Sequence, residues 1–448
     1  MLTRIEINGF KTFEDFTLDL APLLVVLGPN AVGKSNLFDA IRLLSRLAET
    51  DLATAFKEMR GQPHELFRTQ PDGTIASKMS FAVEVLVDPV VRSGWGEEKK
   101  LTQTRIRYEL VIERKKIEGG REKIFVVEEK AAPIRASEDR LKKGRQNPSK
   151  SFRRSHLKYA RVSSFLETVD DAGKPTFEIH QDQSQGRKRP ATAAERTVLS
   201  SITSIEFAHL FALGEEMRSW KLVQLDPSSL RRPSPMNAPD TLLPDGSNIA
   251  AVLARIEGEN QGSLAEIARD LAEVIPGVAS LRVFDDPANH EYQMELIARH
   301  GPIHARVASD GTLRALALLT LLHDPRHRGL ICFEEPENGI HPARLKSLIQ
   351  ILKSLLTSFE DECDEDPEPL SQMLLASHSP VVLSALQDEN AIVFADVTTI
   401  VDPSSGTMRP RTRMRLLPDG LFVDDPERYV TRREAQAYLE TVGKGDPA

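Results

Sequence analysis

The chain has 448 residues, 40% of them hydrophobic and 28% charged, with 58 Lys and Arg against 66 Asp and Glu for a formal net charge of −8. That balance excludes a surface that coats nucleic acid throughout, and 6% aromatic residues argue against extended base stacking, leaving room only for a local basic patch. No run of 18 apolar residues occurs, the amino terminus MLTRIEINGFKTFEDF lacks a signal-type apolar segment, and Cys332 and Cys363 share no disulfide or zinc spacing, so a cytoplasmic protein without a membrane span is expected.

Residues 3–7 and 16–20 read as short strands, and Leu23–Leu27 as a strand buried on both faces, since all five positions are apolar. That run enters a glycine-containing loop, and residues 36–48 follow with Leu37, Ile41, Leu44 and Leu47 on one helical face. Residues 78–127 alternate as antiparallel meander strands with turns at 93–97 and 118–121. Over 135–161 the composition turns basic, with ten Lys or Arg against Glu138 and Asp139. Arg187, Lys188 and Arg189 form a second basic cluster in a segment that reads as loop.

Apolar periodicity resumes over 193–212, and a Pro-rich passage spans 227–244. Helices are expected at 249–256, 263–274, 309–323 and 342–356, and strands at 281–284, 292–298, 329–333 and 373–376. A last amphipathic helix is expected at 432–442. These shifts divide the chain into a first core segment (1–77), a β meander with the basic insertion (78–192), a helical subdomain (193–280), a second core segment (281–390) and a short extension (391–448). The expected fold is an α/β nucleotide-binding core, made of both ends of the chain, with a β-rich and helical subdomain inserted between them.

Four motifs carry chemistry. Gly28, Pro29, Asn30, Ala31, Val32, Gly33, Lys34 and Ser35 match G-x-x-x-x-G-K-[ST] between a buried strand and a helix that opens at Asn36. Such a loop presents backbone N–H groups and a helix N-terminus to phosphates, with Lys34 on the β- and γ-phosphates and the Ser35 hydroxyl on Mg²⁺. Next, the strand Gly329–Phe333 ends in Glu334 and Glu335. Successive strand residues point oppositely, so Glu334 is expected in the metal shell and Glu335 on the attacking water. His378, after a third apolar strand, stands where an imidazole could sense the γ-phosphate. Finally Ser309, Asp310 and Gly311 open a helix. Ser309 or Asp310 suits a plain N-cap; alternatively the helix end meets the nucleotide of a second copy, which implies a two-fold sandwich with two shared sites.

In this order the blocks IEINGFKTFEDFTLDL, GPNAVGKSNLFDAI, SDGTLR, EEPENGIHP and SHSP resemble the ABC-type ATPases of the RecF, SMC and OLD group. The resemblance implies ATP and Mg²⁺ as cofactors, ATP hydrolysis, and a homodimer. It makes Ser309, Asp310 and Gly311 the signature motif, residues 338–341 the D-loop region, and His378 the switch histidine. Gln62 and Gln70 are the candidates for its Q-loop. Glu334 stands where the group usually has Asp. The long span between Ser35 and Ser309 differs from transporter subunits, and SMC-type coiled-coil arms are missing. The segment after His378, with Asp396, Asp402, Asp424 and Asp425, is too short for a nuclease domain of the OLD kind. The chain looks most like stand-alone ATPases of anti-phage operons, acting on a separately encoded effector. A RecF-like DNA clamp is the alternative, with Arg135 to Arg161 as its contact; that run also reads as a solvated loop.

Overall fold

All five residues of the run Leu23–Leu27 are apolar because both faces of the strand they form are covered. The computed structural model describes residues 1–448 apart from 71, 118, 143–146, 181–185, 361–368, 380–381, 384–385, 387–390, 402–407, 417–428, 432 and 435–448. Its first strands are β1 (Leu2–Asn8), β2 (Phe16–Asp19), β3 (Leu23–Leu27), β4 (Lys78–Leu86), β5 (Val90–Arg92), β6 (Glu98–Lys100), β7 (Arg105–Lys116) and β8 (Glu122–Pro133). Then come β9 (Leu166–Asp171), β10 (Lys174–Ile179), β11 (Arg187–Pro190), β12 (Lys221–Val223), β13 (Ser234–Pro235), β14 (Val278–Asp286), β15 (Glu291–Ala298) and β16 (Gly301–His304). The last are β17 (Gly329–Glu334), β18 (Ser371–Ser377), β19 (Ile392–Val401) and β20 (Met408–Leu416). The helices are α1 (Lys34–Leu47), α2 (Leu52–Lys57), α3 (Lys150–His156), α4 (Ala208–Arg218), α5 (Pro227–Leu230), α6 (Ile249–Glu259), α7 (Ser263–Val274), α8 (Asp310–His323) and α9 (Pro342–Ser354).

The central sheet runs β12-β17-β18-β3-β19-β20, parallel except at the β19–β20 hairpin. Its strands split their side chains between two cores. Leu24, Val26, Leu330, Cys332, Leu374 and Ala376 join the core that also holds α1 and the antiparallel sheet. Leu23, Val25, Leu27, Ile331, Phe333, Met373 and Leu375 join the core built on α6 to α9. Each Val, Leu, Ile, Phe or Met among them contributes about 1.5–3 kcal/mol of burial, so the sheet is pinned from both sides and its strand ends are fixed points for a site.

The antiparallel sheet runs β11-β10-β9-β8-β7-β4-β1-β2. The meander residues 78–127 therefore share a sheet with the amino-terminal hairpin through β1 and β4. Arg187, Lys188 and Arg189, read as loop from sequence, are instead the edge strand β11. Each is partnered there: Arg187 by Glu206 at 3.1 Å, Lys188 by Glu178 at 2.7 Å and Asp171 at 3.1 Å, and Arg189 by the Ser201 hydroxyl at 2.9 Å. Charge pairing replaces apolar burial on an edge strand, which hides the strand from hydropathy. A third sheet joins β13, β15, β14 and β16.

The start of the segment read as a short extension supplies β19 (Ile392–Val401) and β20 (Met408–Leu416) to the central sheet. The expected helix at 432–442 lies almost wholly outside the described residues, as do Cys363, Asp402, Asp424 and Asp425. Among the described residues no helix is long and apolar enough to cross a membrane.

Candidate nucleotide-binding site

Parallel strands β3, β17 and β18 lie side by side, and the loops that follow them end at one edge of the sheet. After β3 the chain turns through Ala31 (φ 65°) and Gly33 (φ 101°) into α1, with Gly33 as its N-cap. Two glycines are required by close neighbours from the carboxy-terminal hairpin. A Cβ at Gly28 would lie 2.4 Å from the Ala395 carbonyl oxygen, and one at Gly33 2.4 Å from Thr412 Oγ1. The Thr412 hydroxyl donates to Thr12 Oγ1 (2.7 Å) and lies 3.0 Å from the Val32 carbonyl oxygen, so β20 clasps the loop.

A cavity of about 460 Å³ opens beside this loop, lined by Asn30, Ala31, Gly33, Lys34, Ser35 and Asn36 on one side and by Glu334, Glu335 and Ala376 on the other. Lys34 Nζ donates to the carbonyl oxygens of Gly28 (2.6 Å) and Pro29 (2.7 Å). Burial lowers its pKa, opposed by Glu335, Glu334 and Glu337. Glu334 closes β17, half-buried, and Glu335 takes φ 55°, a left-handed conformation that costs a non-glycine residue about 1–3 kcal/mol and clusters at functional sites. The Glu335 N–H holds this turn by donating to the Ala376 carbonyl oxygen at 2.8 Å. Its carboxylate is held on both oxygens: Asn338 Nδ2 donates to Oε2 at 2.6 Å, and His378 Nδ1 lies 3.0 Å from Oε1. Glu337 accepts the Ser377 hydroxyl at 2.5 Å through Oε1, while its buried Oε2 has no partner among the described residues.

The structure thus brings together Lys34, Ser35, Asn36, Glu334, Glu335 and His378. Ser309, Asp310 and Gly311 are not among the residues lining the cavity. Ser309 is the N-cap of α8, its Oγ accepting from the Thr312 N–H at 3.2 Å. Gly311 packs so closely on Gly339 that a Cβ would sit 1.8 Å from its carbonyl oxygen. Gln62 follows Arg60 and Gly61, which line the cavity, whereas Gln70 sits in the turn whose N–H bonds Thr74.

Three cations escaped the sequence reading. Lys11 and Arg60 line the cavity and share buried Asp39, at 2.5 and 2.8 Å. Arg231 holds Asp310 at 2.5 Å and the Ala308 carbonyl oxygen at 3.0 Å, fixing the start of α8. No motif marks them, because their partners are distant in sequence.

Within the basic run, α3 buries Phe152 and His156, and Arg161 stacks on Phe165 at 4.5 Å. Arg135, Arg140, Lys150 and Arg154 are exposed. Lys143 and Arg145 lie outside the described residues.

The donor set suits a magnesium nucleotide. Ser35 and Glu334 supply hard oxygen ligands, and Lys34, Lys11 and Arg60 supply positive charge for a polyphosphate. The fold is that of a P-loop ATPase domain, with helices and a second sheet around a parallel core. The chain belongs to the AAA_21 family, described as "AAA domain, putative AbiEii toxin, Type IV TA system", which matches residues 23–384. No curated protein matches. Among solved structures, the chain is similar to an SMC head bound to the C-winged helix domain of ScpA (13% identity, 92% of this chain and 97% of that one, TM-score 0.48). Similar too are SMC heads from Pyrococcus yayanosii (13%, 99% and 99%, 0.45) and Pyrococcus furiosus (11%, 99% and 99%, 0.43).

Proposed function

We propose that the chain hydrolyses ATP as a switch, closing as a pair of copies around two nucleotides and so controlling a separately encoded partner. The observation that carries the reading is the Glu335 carboxylate, fixed between Asn338 and His378 at the cavity that Lys34 and Ser35 line. A carboxylate held on both oxygens is oriented before any water arrives, which is what in-line attack on a γ-phosphate needs. Magnesium, held by Ser35 and Glu334, would neutralise phosphate charge. Lys34 would leave its own loop carbonyls for the phosphates, and His378, already on Glu335, would report the γ-phosphate to β18.

Pairing of copies is supported by the start of α8. Ser309, Asp310 and Gly311 form a helix N-terminus fixed by Arg231 yet absent from the cavity lining of their own chain. Such an end is a ready anion site for another copy's nucleotide. The family's description, "putative AbiEii toxin, Type IV TA system", supports a toxin–antitoxin setting for the switch. Exposed Arg135, Arg140, Lys150 and Arg154 support a second reading, a clamp that holds DNA by phosphate contacts.

Glu335→Gln tests the first reading. Phosphate release should fall by about 10²–10⁴-fold while Mg·ATP binding persists. Retained turnover would remove Glu335 from the chemistry.

A further inference from the structure

Both glycines of the loop between β3 and α1 rest on one hairpin, β19–β20, that no motif announces. Ala395 on β19 blocks a Cβ at Gly28, and Thr412 on β20 blocks one at Gly33, each at 2.4 Å. The strands are paired in register, Ala395 with Met414 and Val397 with Thr412, so both contacts come from one piece of the central sheet. Thr412 is 2% exposed, and its hydroxyl has two acceptors in reach, Thr12 Oγ1 at 2.7 Å and the Val32 carbonyl oxygen at 3.0 Å.

A hydroxyl carries one proton, so it serves one of these acceptors at a time. Hydroxyl protons rotate, and the bond between Thr412 and Thr12 can be donated in either sense. Thr12 Oγ1 accepts from Asn36 Nδ2 at 3.0 Å, which leaves the Thr12 proton to be given to Thr412. The Thr412 proton then goes to Val32. Donation so arranged runs in one sense, from Asn36 to Thr12 to Thr412 to Val32, and each bond polarises the next.

The far end of this chain bears on phosphate. The Val32–Gly33 peptide is trans, and a trans peptide holds its C=O and N–H on opposite sides. Keeping the Val32 carbonyl on Thr412 therefore turns the Gly33 N–H away from the hairpin. Val32 is buried, whereas Gly33 lines the nucleotide cavity. Successive backbone N–H groups of such a loop are anion donors.

We propose that Thr412 is a positioning residue for nucleotide binding, aiming the Gly33 N–H at a phosphate by holding the Val32 carbonyl. The inference rests on the reading of this cavity as a nucleotide site. Thr412 itself meets neither phosphate nor metal. An N–H aimed in this way holds phosphate in the ground state and the transition state alike, so its loss falls on binding rather than on turnover.

Calorimetry with Mg·ADP on the full-length chain, which avoids hydrolysis during the titration, tests this beside steady-state phosphate release from Mg·ATP. Thr412→Val keeps the shape and removes the hydroxyl. It should weaken Mg·ADP at least fivefold, the worth of one hydrogen bond, and raise KM by a similar factor while kcat falls less than twofold. Thr412→Ala, which removes the same hydroxyl with less bulk, should match it. Thr412→Ser keeps the hydroxyl and should stay within twofold of the parent in affinity and KM. Parent-like affinity in both Thr412→Val and Thr412→Ala, failure of Thr412→Ser to restore it, or a loss confined to kcat would overturn the role of Thr412 alone. A parent chain that binds no Mg·ADP would instead overturn the nucleotide reading, and this inference with it.

Discussion

Asn338→Ala removes one of the two groups that hold the Glu335 carboxylate, and its effect can be worked from the contact. The bond from Asn338 Nδ2 is 2.6 Å long. A hydrogen bond to a charged group contributes about 1.5–3 kcal/mol when buried. The Glu335 side chain is 39% exposed, so water replaces part of that, and about 1 kcal/mol is the working figure. Spent on orientation in the transition state, that is a loss of about fivefold in kcat. His378 still holds the other oxygen, which keeps the loss below that of removing the carboxylate function in Glu335→Gln. Since Asn338 acts through Glu335, adding Asn338→Ala to Glu335→Gln should cost almost nothing more. Steady-state phosphate release at saturating Mg·ATP, measured for the two single variants and the double, gives the cycle. The same fivefold loss in the Glu335→Gln background would refute a role through this contact.

Three further outcomes follow from other contacts. Glu129 is fully buried, and burial pushes its pKa up to about 7 despite N–H bonds from Val198 and Leu199 and the Tyr108 hydroxyl. The folded state then keeps its proton between the ordinary 4.5 and about 7, so this stabilising contribution is complete below pH 4.5 and lost as pH rises through 7. Thermal melts of Glu129→Gln should show a shallower decline over that window than the parent, and parallel slopes would count against it. Gly311→Ala places a Cβ 1.8 Å from the Gly339 carbonyl oxygen and must push α8 from the turn at Gly339. ATP turnover should fall at least tenfold while Mg·ATP affinity of the single chain, read by calorimetry, stays within about twofold, the two-state coupling expected of a closure defect. Changing Arg135, Arg140, Lys150 and Arg154 to Glu should leave phosphate release unchanged, since none lines the nucleotide cavity; a loss of turnover would tie the basic run to the ATPase cycle.

The sequence reading reached what local pattern encodes. The strand Leu23–Leu27, the helix over 263–274 and the acidic end of β17 all follow from runs of apolar residues bounded by glycine or charge. It did not reach what depends on distant partners. Thr412 touches Thr12 and Val32 across nearly the whole chain, and Arg60 meets Asp39 only once α1 and its neighbours have packed. Nor does composition mark Arg187, Lys188 and Arg189 as a strand, because their polar partners, Glu206, Glu178, Asp171 and the Ser201 hydroxyl, are brought to them only by the fold.

The central claim, two copies closing on shared nucleotides, is tested most directly by the solution mass of Glu335→Gln, measured by light scattering with and without Mg·ATP. The account predicts a monomer that doubles its mass when Mg·ATP is added and returns when nucleotide is removed. A mass that stays at one chain under saturating Mg·ATP would contradict it, and with it the role given to Ser309, Asp310 and Gly311 across the pair.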